Sequence, residues 1–327
     1  MWRILTSINK NLVIAIPSMM LLGFVAGLFF GVSFLQNLII PFTFLMIYPM
    51  MVVLKIKKVL EGGDIKAQIL TQIINFAIIP FVAYGIGLIF FSGKPFMALG
   101  LLLAALVPTS GMTISWTGFA KGNLEAAVKM TVVGLILGSL ATPIYVQVLM
   151  GAHIGVDIIN VMKQIVIIVF LPMAAGYITQ IFLVKRFGQK AFQETWSPRF
   201  PALSTLGVLG IVFVAIALKA KAISQSPAVL LYIIIPLVIL YGINYIISTG
   251  VGKMLLPRGD AIALLYGTVM RNLSIALAIA MNAFGPSASD AALVIAIAYI
   301  IQVQSAAWYV RLSNRIFGSP EIQRTPA

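Results

Sequence analysis

The chain has 327 residues, of which 61% are hydrophobic and only 9% charged, and its mean hydropathy is +1.07. A water-soluble fold of this size cannot bury so much apolar surface, whereas a polytopic membrane protein has no need to. The formal charge of +14 would suit a nucleic-acid binder, but the basic residues sit in short segments between apolar runs, so nucleic acid is excluded as a partner.

Ten runs of about 20 residues read as membrane spans. They cover 11–31, 34–54, 68–92, 96–120, 124–150, 158–184, 200–218, 228–252, 259–284 and 290–312. The first is too long for a signal-peptide core and lacks a small-residue cleavage site, so it reads as retained. With the N-terminus inside, sixteen of the 22 Lys and Arg residues fall in cytoplasmic segments. Only Lys94, Lys163, Lys219 and Lys221 fall outside, and Lys129 and Arg271 lie within spans. This bias predicts a multi-pass protein of the cell (inner) membrane with both termini in the cytoplasm.

Ten spans divide into five and five, and an odd-numbered repeat inverts its own topology, as in many secondary transporters. Residues 1–156 form the first predicted repeat, 157–317 the second, and 318–327 a disordered tail. Span 1 carries IAIPSMMLLG and span 6 IVFLPMAAG, each with a mid-span proline. Spans 4 and 9 both end in a tight glycine turn. The fold class is therefore all-α: ten transmembrane helices in two inverted five-helix repeats.

All eight acidic residues lie in loops or at span ends, so the interior offers no carboxylate for a proton relay or a sodium site. There are no cysteines and one histidine, His153, in a predicted outer loop. Neither a metal centre nor a cofactor is expected, and the intramembrane dyads of an enzyme are lacking. What remains is neutral polar groups and one arginine. Span 4 holds Pro108, Thr109, Ser110, Gly111, Thr113, Ser115 and Thr117; span 9 holds Gly267, Thr268, Arg271, Asn272 and Ser274. Both clusters sit near mid-span at equivalent places in the two halves. Helices broken there, at Pro108, Gly111 and Gly267, would expose backbone groups to a substrate. Thr109, Ser110, Thr113, Arg271, Asn272 and Ser274 are the candidate binding residues, with Asn75 of span 3 beside them. A proline kink packed with Ser and Thr is the competing explanation. Lys129 lies four residues after Glu125, an orientation that favours an ion pair, and is expected to snorkel to the surface.

Three segments carry a resemblance: FLMIYPMMVVLKIKKV (44–59), PTSGMTISWTGFAKGN (108–123) and RNLSIALAIAMNAFGP (271–286). The chain resembles the bile acid:sodium symporter superfamily, nearest its arsenite-efflux permease branch. The resemblance implies a panel domain of spans 1, 2, 6 and 7. It also implies a core domain of spans 3–5 and 8–10, with spans 4 and 9 broken and crossing. It further implies departures. The permeases' cysteine after the span 4 proline is Thr109 here, and their glutamate after the span 9 asparagine is Ser274. The sodium-coupled branch's glutamate and glutamine in span 9 correspond to Gly267 and Arg271, and its span 4 asparagine to Ile114. The expected function is a secondary transporter of a small organic anion, not sodium-driven, with Arg271 standing where a coupling cation would sit. A sodium symporter and a metalloid efflux permease are the alternatives. Membrane lipids are the other expected partners, and a homodimer is left open.

Overall fold

The computed structural model describes residue 7 and residues 11–54, 64–152, 154–155, 157–225 and 227–319. His153, the lysines at 55–58 and the tail beyond 319 lie outside them. The described residues are helical apart from turns and one isolated β-bridge. In order, the chain forms α1 (Leu12–Phe29), a 3₁₀ turn (Ser33–Leu38) leading into α2 (Ile39–Val52), and then α3 (Ile65–Gln72), a π turn (Ile73–Ile78) and α4 (Ile79–Phe90) in one rod. Next come α5 (Pro95–Leu106), α6 (Gly111–Phe119) and α7 (Leu124–Met150). A second long rod contains α8 (Ile158–Ile165), a π turn (Val166–Phe170), α9 (Leu171–Ala191) and a further π turn (Phe192–Trp196). The last helices are α10 (Arg199–Gln225), α11 (Ala228–Leu255), α12 (Arg258–Val269), α13 (Leu273–Ala283) and α14 (Ser289–Phe317).

Two of the π turns have a sequence cause. Pro80 and Pro172 stand at the second positions of α4 and α9. A proline lacks the N–H that would bind the carbonyl four residues back and clashes with it, and widening the turn relieves both effects. The carbonyl freed by Pro80 is that of Phe76, and the Tyr145 hydroxyl donates to it at 2.6 Å.

Seven helical segments are long and apolar enough to cross a bilayer, and three shorter apolar helices accompany them. Large apolar side chains such as Ile14, Phe29, Ile40, Val148 and Ile246 are exposed on the outside of the bundle, which marks a lipid-facing surface. The chain is an all-helical polytopic membrane protein.

Helices α1, α2, α9 and α10 pack on one another, and α3–α7 and α11–α14 form a second group. The first group is closely spaced. A Cβ on Gly207 of α10 would lie 2.3 Å from the Met46 backbone nitrogen of α2. In the second group α5, α12 and α13 are buried on nearly every side. Helices apolar all round occupy a centre, and these three carry the broken segments there.

Two expectations need correction. The basic run from Lys185 to Lys190 is helical, not a loop; the second long rod continues to Trp196 with a kink at Gly188, where φ is +82°. Charge bars these residues from the hydrocarbon but not from a helix, and Lys, Arg, Gln and Ala are good helix formers. Lys129 does not snorkel to the surface. It is buried and its Nζ lies 3.3 Å from Asp64 Oδ2. Asn123 ties the same carboxylate to Asp260 by donating Nδ2 to each, at 3.0 and 2.7 Å. These partners are distant in sequence, which is why helical spacing alone suggested a surface position.

Candidate functional site

The chain leaves helical geometry twice near mid-bundle, at 107–110 between α5 and α6 and at 270–272 between α12 and α13. The two breaks cross as a single antiparallel bridge between Pro108 and Arg271, and the Asn272 N–H donates to the Val107 carbonyl at 2.8 Å. Two short extended segments thus satisfy each other where a helix would otherwise expose bare backbone.

Each break has local causes. Pro108 offers no donor to a continuing helix. Thr109 adopts φ +63°, a costly conformation for a β-branched residue, so its surroundings must hold it. Its hydroxyl has the Pro108 and Thr131 carbonyls at 2.7 and 3.1 Å. The floor beneath is Gly134 and Gly138 of α7. A Cβ at either would come within 2.6 Å of Thr109 Oγ1 or 2.7 Å of Pro108 Cδ. Ser110 then caps α6: its Oγ accepts from the Met112 N–H while Thr113 Oγ1 accepts from the Ser110 N–H. Asn272 caps α13 by accepting from the Ile275 N–H.

The carbonyl side of the crossing is held by three amides. Asn75 donates Nδ2 to the Gly267 carbonyl at 3.0 Å, and Asn244 donates Nδ2 to that of Thr268 at 3.0 Å. Gln302 pairs with the Arg271 backbone as a strand neighbour would, accepting from its N–H at 2.8 Å and donating to its carbonyl at 3.2 Å. The Tyr241 hydroxyl also donates to Gln302. Asn244 and Gln302 were not among the residues singled out from the sequence. The signal was available, since an amide inside an apolar span must find a partner.

The candidate residues therefore meet at one crossing, but not with equal access. Thr109, Ser110, Thr113, Arg271, Asn272 and Asn75 are buried. Ser274 is half-buried and bonds the Tyr299 hydroxyl. Gly111 and Ser115 are exposed, and a Cβ on Gly111 would be 3.6 Å from Met50 of α2, so this face looks toward the first helix group. Pro108 lies in the first break and Gly111 opens α6, whereas Gly267 lies inside α12, packed against Met130 and Thr71.

Arg271 is 2% exposed, and neither terminal guanidinium nitrogen has a partner among the described residues. Those nitrogens do not organise the crossing carbonyls; the amides do. The side chain borders a small cavity of about 10 Å³ shared with Ile79, Ala104, Ala105, Leu240, Tyr241 and Asn244. No carboxylate among the described residues pairs with it.

The chain is similar to several known proteins. Residues 40–226 match the model of the sodium bile acid symporter family. The uncharacterized protein YbaS of Bacillus subtilis is 28% identical over 259 residues, 79% of this chain and 82% of that protein. The arsenical-resistance protein Acr3 of Alkaliphilus metalliredigens is 26% identical over 296 residues, 86% of this chain and 82% of its own. An uncharacterized sodium-dependent transporter of Bacillus subtilis, YocS, is 26% identical over 223 residues, 67% of this chain and 65% of its own. With more than half its length matched by that model and transporters among its relatives, this membrane protein belongs to the sodium bile acid symporter family.

Proposed function

We propose that the protein carries a small organic anion across the cell membrane by alternating access, without sodium coupling. The ten spans form two inverted five-helix repeats, 1–156 and 157–317, with both termini in the cytoplasm. The group of α1, α2, α9 and α10 acts as the panel against which the other group moves.

One observation carries this reading: the N-terminal ends of α6 and α13 converge on the crossing, and the first residue of α6, Gly111, is exposed and faces α2. Helix N-termini offer N–H groups and partial positive charge, which suit a carboxylate or phosphate. Behind them Arg271 stands where a coupling cation would sit, and Asn75, Asn244 and Gln302 hold the carbonyls that such a cation would order. In this scheme Ser110, Thr113 and Asn272 fix the two helix ends, and Ser274 with Ser115 meets the substrate.

The test is exchange of candidate organic anions in proteoliposomes with the cations defined on both sides. Replacing sodium by potassium or choline should leave the rate unchanged, and Arg271→Ala should reduce exchange at least tenfold. A wild-type rate that collapses without sodium overturns the sodium-free reading. The chain has no cysteine to bind a soft metalloid, so its expression should not protect an arsenite-sensitive host.

A further inference from the structure

The guanidinium of Arg271 poses a separate electrostatic problem. Four half-helix ends meet at the crossing: the N-terminal ends of α6 and α13 and the C-terminal ends of α5 and α12. Each carries about half a unit of charge, positive at N-termini and negative at C-termini, so the four cancel. Arg271 adds a full positive charge that no carboxylate among the described residues offsets. The nearby carbonyls of Gly267, Thr268 and Arg271 already accept from amides, and the two terminal nitrogens have no partner. A buried charge left this way is strongly unfavourable, and a neutral water would satisfy the donors without balancing it.

We propose that Arg271 holds a small monovalent inorganic anion of the halide class, chloride being the natural occupant, in the cavity between α4, α5 and α11. The lining selects it. Ile79, Ala104, Ala105 and Leu240 give apolar walls that suit a weakly hydrated ion, and they cannot satisfy the several acceptor oxygens of a phosphate. At about 10 Å³ the cavity has room for one small occupant, far below the roughly 300–1,000 Å³ of small-molecule sites, so organic acids do not fit. The site lies within the second helix group, apart from the Gly111 face that looks toward α2. The ion brings the crossing to neutrality before any substrate arrives, and a transported anion then meets only the ends of α6 and α13. The inference therefore stands apart from the identity of the transported substrate.

The test is thermal unfolding of the purified full-length protein in sodium chloride, sodium bromide, choline chloride and sodium gluconate at equal ionic strength. Chloride and bromide should raise the melting temperature saturably, by about 3 °C or more over gluconate, whichever cation is present. Arg271→Gln should abolish the difference. Equal melting in all four salts, or a halide response that survives in Arg271→Gln, overturns the proposal. Should that variant not fold, bromide-soaked crystals of the wild type decide. An anomalous peak within hydrogen-bond reach of the guanidinium supports the site, and its absence there overturns it. A halide response with no organic-anion exchange sinks only the transport reading; sodium-free exchange without a halide response sinks only this one.

Discussion

The Gln302 side chain makes three hydrogen bonds, all at the crossing: two with the Arg271 backbone and one from Tyr241. Gln302→Leu keeps much of the volume but leaves the Arg271 N–H and carbonyl unpaired in the interior. Each buried orphan costs about 1–3 kcal/mol. The expected outcome is about 2–4 kcal/mol lost, read as a lower melting temperature in detergent, with Gln302→Glu intermediate because it keeps the acceptor and loses the donor. An unchanged melting temperature in Gln302→Leu would mean that the Arg271 backbone is held elsewhere. At this scale the sequence was informative where polar residues flank a proline and weak where they do not. Thr109, Ser110 and Thr113 drew attention as a group beside Pro108, whereas Asn244, and Gln302 with Gln304 and Ser305, lie in long apolar spans without a neighbouring proline. That the two terminal nitrogens of Arg271 have no partner among the described residues is a tertiary fact with no local pattern.

The helix breaks show the same contrast between elements. The break before α6 is announced by Pro108 beside a Ser, Thr and Gly cluster. The break at 270–272 contains neither proline nor glycine, and only Arg271 and Asn272 hint at it. It exists because the facing segment supplies partners: Val107 accepts from Asn272, and Gln302 pairs with Arg271. The floor of the first break can be tested directly. Gly134 and Gly138 of α7 let Thr109 and Pro108 approach closely, so Gly134→Ala pushes on the β-branched Thr109 side chain and Gly138→Ala on the Pro108 ring. Overpacking of this kind costs about 1–3 kcal/mol. Both variants should fold with lower melting temperatures and lose most transport, because they displace the break. Gly85→Ala, at a position with nothing within 4 Å, should behave as wild type. Equal behaviour of all three would show that the break does not depend on α7.

Over the whole molecule, the two helix groups are joined by polar contacts at the end where α14 begins. Asn282 of α13 donates to the Thr43 hydroxyl of α2 at 3.3 Å, and Lys219 of α10 pairs with Asp290 of α14 at 2.8 Å. If the groups move against each other during transport, these contacts must break and re-form in each cycle. The energetics suit that use. The Lys219 and Asp290 side chains retain 22% and 38% exposure, and exposed pairs are worth about 0–1 kcal/mol, enough to bias two conformations by about fivefold without locking either. Asp290 also sits in the first turn of α14, where the helix dipole favours its charge. Lys219→Glu replaces attraction by repulsion and should open this end, so that a cysteine placed at Met97, beside the pair, reacts about two- to fivefold faster with a thiol reagent. The exchanged double variant, Lys219→Asp with Asp290→Lys, should recover part of the wild-type rate, less fully because a lysine at the start of α14 opposes the dipole. High salt should move the wild type part of the way toward Lys219→Glu by screening the attraction, and should slow labelling of the variant by screening its repulsion. Labelling unaffected by charge reversal and by salt would show that the pair is an incidental surface contact, and that the joint between the two groups rests on apolar packing alone.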